Sequence, residues 1–197
     1  MSRQKYRKKR QQQNILSTAL GAGLLVIGIA LFFLLTQNKA NPSAQTLPTD
    51  RSVTPMEVNF PAPELTLDNL QGETQSLADF QGQVVLVNNW ATWCPPCKAE
   101  MPSLQQFHET HAEKGFTVIA VEAGDGFEEV LAFAQSYGLT FPVWLDPAQE
   151  SLAVIRNGSL PNSYVIDRSG TVRLAWTGEI SLAMLEKHVT PIIEEGN

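Results

Sequence analysis

The 197-residue chain carries 14 basic and 20 acidic residues, for a formal net charge of −6, and only two cysteines. All of residues 1–38 hold six basic groups and no acidic one, so the rest of the chain is strongly acidic and offers no positive surface to a nucleic-acid partner. Two cysteines also exclude a four-cysteine zinc site and a disulfide framework.

Residues 1–14 read as a basic cytoplasmic tail. Residues 15–35 (ILSTALGAGLLVIGIALFFLL) are 21 positions without a charge. As a helix this segment is about 31 Å long, close to the hydrocarbon thickness of a bilayer, about 30 Å. It is too long for an ordinary signal-peptide core, and no small-x-small cleavage site closes it cleanly, which favours an anchor over the alternative, a cleaved signal. It is therefore expected to be an uncleaved transmembrane signal anchor in the lipid bilayer. The basic cluster precedes the span, which by the positive-inside rule places the N-terminus in the cytoplasm and the remainder outside the cell membrane. Where an outer membrane exists, that compartment is the periplasm. Residues 36–57 read as an extended linker, and the proline-rich character (Pro42, Pro48, Pro55, Pro61, Pro63) continues to residue 63.

Residues 58–195 read as one folded domain. Residues 64–70 (ELTLDNL) alternate like an edge strand, and Gln71-Gly72 marks a turn. Residues 77–80 predict a short helical turn. Residues 84–90 (VVLVNNW) form a near-continuous apolar run, as in a strand buried on both faces. Residues 98–113 have helical spacing, with Met101, Leu104 and Phe107 on one side. Residues 116–121 predict a second buried strand, 127–137 a helix stopped by Gly138, 141–145 a strand and 149–156 a short helix. Residues 163–167 and 172–176 predict strands joined by a hairpin turn, and 182–195 a final helix. Strands alternating with helices imply an α/β fold with a mixed central sheet covered on both faces.

The chemistry concentrates in VVLVNNWATWCPPCKAEMP, residues 84–102. A buried strand runs into Cys94-Pro95-Pro96-Cys97, and a helix begins there. The reactive form of cysteine is the thiolate, and a free thiol is mostly protonated near neutral pH. At a helix N-terminus, Cys94 faces unpaired backbone N–H groups and the positive end of the helix dipole, which favour the thiolate. Pro95 and Pro96 suit the first helical positions, where no N–H partner is needed. The i, i+3 spacing keeps Cys97 beside Cys94 as the more buried, resolving thiol. A bridge this short constrains the unfolded chain little, which argues against a structural staple. His108 lies about 16 Å along the helix from Cys97, too far to complete a metal site. His108 and His111 are expected on a solvated helix face. No metal and no cofactor is expected.

The segment VNNWATWCPPCKAEMP resembles the TlpA/ResA/CcmG-like branch of the thioredoxin superfamily, and the likeness runs over residues 58–195. The resemblance implies a thioredoxin-like three-layer fold with an inserted βα element, supplied within residues 116–145. It also implies thiol–disulfide exchange outside the cytoplasm, as a reductase of protein disulfides such as apocytochrome c thiols. A membrane thiol donor of the CcdA or DsbD kind would restore the dithiol. Position by position, Pro161 in LPNSYVID matches a cis-proline loop that docks the substrate backbone. Glu100 matches an acidic residue that tunes the cysteines, and Asn88 stands where ordinary thioredoxins have a buried aspartate. Catalytic roles thus fall to Cys94, Cys97 and Glu100, and substrate contacts to Trp93, Pro95, Pro96, Leu160 and Pro161. Two positions depart from the pattern: Asn89 replaces an aromatic residue, and Asn162 replaces a threonine.

Two other readings use the same fold. A thiol peroxidase would place Thr or Ser three residues before its reactive cysteine and a proline further upstream; here Ala91 and Val87 occupy those places. A non-enzymatic sensor or binding module would need no reactive thiolate at Cys94.

Overall fold

Val84–Trp90 and Phe116–Glu122 are buried at every position. A strand shielded on both faces needs apolar side chains at successive positions, and these two runs supply them. They form the centre of the sheet, parallel, with Val84 opposite Phe116 and Trp90 opposite Glu122. The computed structural model describes residues 52–195. The basic tail, the apolar span at 15–35 and most of the linker lie outside the described residues. Among the described residues, no helix is long and apolar enough to cross a membrane.

The strands are β1 (Met56–Pro61), β2 (Thr66–Asn69), β3 (Thr74–Ser76), β4 (Val84–Trp90), β5 (Phe116–Glu122), β6 (Val143–Leu145), β7 (Asn162–Ile166) and β8 (Thr171–Thr177). The helices are α1 (Pro95–His111), α2 (Phe127–Tyr137), α3 (Glu150–Val154), α4 (Leu182–His188) and α5 (Thr190–Glu194). One mixed sheet runs in the order β1-β8-β7-β4-β5-β6-β2-β3. Strands β4, β5 and β6 are parallel neighbours, and the other pairings are antiparallel. Between β5 and α3 the chain makes one further helix and strand, α2 and β6.

Alternation along β4 divides the core. Val84, Leu86 and Trp90 face a cluster with Met101, Leu104 and Phe107 of α1, Phe133 of α2, and Leu185 and Ile193 of α4 and α5. Val85 and Val87 face a second cluster with Leu65, Leu77, Ile119, Trp144 and Tyr164. The first cluster also contains both cysteines, so the apolar face of α1 and the disulfide are seated by the same packing.

Several expectations need correction. The proline-rich stretch up to residue 63 is not all extended linker, because Met56–Pro61 pairs antiparallel with β8 as an edge strand. Its side chains are mostly exposed, so backbone hydrogen bonds rather than an apolar face hold it in place. Residues 64–70 do not form an edge. Strand β2 lies between β6 and the short β3, which takes the outer position. The final helix is two helices, because Pro191 has no N–H to continue the ladder. His111 is not solvated: it is 2% exposed, packed on Phe107 and Phe116, with Nε2 3.3 Å from Glu186. His108 is half-buried against Phe141.

Candidate active site

Strand β4 runs antiparallel to β7, with Asn88 opposite Ser163 and Asn89 opposite Asn162. The C-terminal end of β4 leads into α1, and the N-terminal end of β7 follows Pro161. Sheet register therefore brings the cysteine pair and the proline loop to one end of the sheet.

Cys94 is the N-cap of α1, with Pro95 and Pro96 at its first positions. The backbone N–H of Cys97 donates to Cys94 Sγ at 3.3 Å. That hydrogen bond and the helix dipole both favour negative charge on this sulfur once the pair is reduced. In the structure the two sulfurs form a disulfide. Cys94 is 3% exposed and Cys97 fully buried, so Cys94 is the cysteine nearer to solvent. Trp93, by contrast, is 66% exposed. An indole that open is available as a flat contact beside the sulfur and is not core packing. Pro95 is exposed and Pro96 half-buried. The Leu160–Pro161 peptide is cis. Pro161 is buried, and Leu160 packs against the cluster that holds the cysteines.

Glu100 lies one turn beyond Cys97 on α1 and is fully buried. Asn88 Nδ2 donates to its Oε1 at 2.7 Å, and the Ile180 N–H donates to its Oε2 at 3.2 Å. Asn88 Nδ2 also donates to Ser163 Oγ at 2.9 Å. Burial pushes the Glu100 carboxyl up to about 8, against the two hydrogen bonds, which favour the ionised form. Glu100 is therefore mostly neutral at pH 7 and close enough to its pKa to take or give a proton. Asn88 and Glu100 act on one another directly, a contact between positions 12 residues apart that spacing alone does not reveal.

A second pair of carboxyls bears on the site and was not singled out from the sequence. Asp125 accepts from the Thr92 N–H at 2.7 Å, in the loop just before Cys94. Glu122, at the end of β5, accepts from the Asp125 and Gly124 N–H groups. Burial pushes Glu122 up to about 7; the backbone N–H of Asp125 opposes the shift and the Asp125 carboxyl adds to it. Burial also acts to raise Asp125, but hydrogen bonds from Thr92 and Glu122 outweigh it and hold that carboxyl below its ordinary value. The sequence carries a faint signal of this pair, since a glutamate at the end of a buried apolar strand requires partners. Among the described residues, no cluster of three or more His, Cys, Asp or Glu side chains is arranged to hold a metal ion.

The chain is similar to known proteins. Residues 58–175 match the AhpC/TSA family. The chain is 32% identical to the thiol-disulfide oxidoreductase ResA of Geobacillus kaustophilus over 93% of this chain and 98% of that protein. It is 36% identical to the thiol-disulfide oxidoreductase ResA of Bacillus anthracis over 69% of this chain and 80% of that one. Among solved structures, a thiol:disulfide interchange protein of the thioredoxin family from Chlorobium tepidum superposes with a TM-score of 0.64 at 28% identity, covering 70% of this chain and 99% of that chain. A secreted thiol-disulfide isomerase from Corynebacterium glutamicum shares the fold, with a TM-score of 0.66 at 23% identity over 78% of this chain and 95% of its own.

Proposed function

The chain belongs to the AhpC/TSA family and is a ResA-like thiol-disulfide oxidoreductase, and from that premise we propose that it is a membrane-anchored reductase of protein disulfides working outside the cytoplasm. The observation that carries the reading is the cysteine pair at the N-terminus of α1, with Cys94 as its cap and the Leu160–Pro161 loop at the same end of the sheet. The uncharged span at 15–35 behind a basic tail supports the anchor.

The thiolate of reduced Cys94 attacks one sulfur of a partner disulfide. That S–S bond breaks, its other sulfur leaves as a thiolate and takes a proton, and a mixed disulfide remains. Trp93 and the Leu160–Pro161 loop hold the partner chain, with Pro95 and Pro96 beneath it. Cys97, losing its proton to Glu100 when that carboxyl is in its ionised form, attacks Cys94 Sγ. The partner's second sulfur leaves and is protonated, so the partner has gained two electrons and two protons. The Cys94–Cys97 disulfide that results is reduced again by a membrane thiol donor of the CcdA or DsbD type. The substrate this reading favours is the Cys-x-x-Cys-His disulfide of an apocytochrome c, whose thiols must be free before haem attachment.

Right-side-out membrane vesicles bearing the full chain, reduced and given an oxidised Cys-x-x-Cys-His peptide on the outside, are expected to reduce it. Activity appearing only after the vesicles are broken would overturn the location. A reduced chain in detergent that leaves the peptide oxidised would overturn the substrate.

A further inference from the structure

The two positions that depart from the family pattern, Asn89 and Asn162, touch. Asn89 Nδ2 donates to Asn162 Oδ1 at 2.9 Å, across the β4–β7 pair. Asn162 Nδ2 donates in turn to Ser159 O at 2.8 Å and Asn157 O at 3.3 Å, both in the loop that leads to Pro161. The exposures are 0% for Asn89 and 1% for Asn162, so no solvent competes for these bonds.

The orientation of each amide follows from its partners. Two carbonyl oxygens face one end of the Asn162 amide, so that end is the NH2. The other end is then the oxygen, and it needs a donor, which Asn89 provides. Asn89 thereby presents its own NH2, and its Oδ1 is left buried with no protein partner. An unpaired buried oxygen works against stability, and an apolar pair at these two positions would avoid it. The polar pair is thus better matched to holding the loop than to stabilising the sheet. Asn88 and Ser163, the adjacent register pair, point to the opposite face and serve Glu100.

We propose that Asn89 and Asn162 are positioning residues for substrate docking: their amide relay holds the 157–161 loop, and with it Leu160 and Pro161, in the shape that receives the backbone of a protein disulfide. What the loop receives rests on the reductase reading; how the loop is held does not. Neither residue touches the reacting sulfurs. Their effect falls on KM for a protein substrate, and kcat stays near its wild-type value.

The test uses the full-length chain in detergent with insulin as the protein disulfide, and two measurements. The first is amide hydrogen exchange in the 157–161 loop, where the Ser159 N–H is held by Asn157 Oδ1 at 3.1 Å. The second is the steady-state kinetics of insulin reduction, with dithiothreitol as the reductant that restores the Cys94–Cys97 dithiol. Asn89→Leu removes the donor and lets the Asn162 amide turn. Asn89→Asp has the same size and puts an oxygen where the donor was, so it serves if the leucine variant fails to fold. Either change is expected to speed loop exchange about tenfold and to raise KM about tenfold, with kcat within about twofold. Because the two residues act as a unit, Asn89→Leu combined with Asn162→Thr should be no worse than the worse single variant. Unchanged loop exchange would overturn the relay. Faster exchange with unchanged KM, or KM effects that multiply in the double variant, would overturn the docking role. The exchange measurement needs no turnover, so it judges the relay even if wild-type chain leaves insulin oxidised, a result that would overturn the reductase reading instead.

Discussion

Serine at position 94 is expected to abolish disulfide exchange, lowering turnover by about a thousandfold or more, as removal of a catalytic nucleophile does. The reason is electronic. A thiolate at the cap of α1 is stabilised by the Cys97 N–H and the helix dipole, whereas a serine hydroxyl at the same place stays protonated and does not attack sulfur. Serine at position 97 should behave differently. The first attack proceeds, but nothing resolves the product, so a mixed disulfide between Cys94 and the partner accumulates. Mass spectrometry of each variant after incubation with oxidised insulin separates the two cases. The adduct is expected with Cys97→Ser and absent with Cys94→Ser. Adduct formation by the Cys94→Ser chain would mean that Cys97 is the attacking sulfur.

Glu100→Gln is expected to change the pH dependence of stability by several kcal/mol. The carboxyl titrates near its ordinary value of 4.5 in the unfolded chain and is pushed up to about 8 by burial in the folded one. Between those values the unfolded chain releases a proton that the folded chain keeps. The contribution to stability is therefore complete below about 4.5 and is lost as pH rises through about 8. At 1.36 kcal/mol per pKa unit the loss is on the order of a few kcal/mol. Glutamine keeps an acceptor for the Asn88 amide and does not titrate. Urea unfolding of the oxidised chain, in which the cysteines do not ionise, should find the glutamine variant the less stable near pH 4.5, because its amide NH2 faces the Ile180 N–H that donates to Glu100 Oε2. Relative to the parent protein, the glutamine variant should gain several kcal/mol between pH 4.5 and pH 8.5. Glu122, which is also raised, titrates in both proteins and cancels from the difference. Parallel pH profiles would show that Glu100 is not held neutral. In the reaction, the same substitution should slow resolution of the mixed disulfide by about a hundredfold, the usual scale for loss of a positioned proton acceptor.

The centre of the fold and the attacking sulfur were legible in the sequence because local signals determine them. Val84–Trp90 is an unbroken apolar run, Cys94-Pro95-Pro96-Cys97 follows it directly, and Asp167 through Gly170 close a hairpin with Asp167 Oδ1 accepting from Ser169 and Thr171. The outer strands were not legible. Met56–Pro61 and Thr74–Ser76 bury few side chains and are held by backbone hydrogen bonds, which leave no period in the sequence. His111 looked solvated because helical spacing shows neither its packing against Phe116 of β5 nor its hydrogen-bond partner Glu186, 75 positions away. The Asn89–Asn162 pair shows the same limit. Each residue stood out as a departure from pattern, but only sheet register puts them in contact.

The most direct test of the account is the equilibrium reduction potential of the Cys94–Cys97 pair in the full chain, measured in detergent against glutathione or dithiothreitol buffers. A dedicated reductase predicts a value well below about −200 mV, toward the thioredoxin value near −270 mV. A value near about −120 mV, that of a strong oxidant, would contradict the reductase direction and the role in preparing apocytochrome thiols.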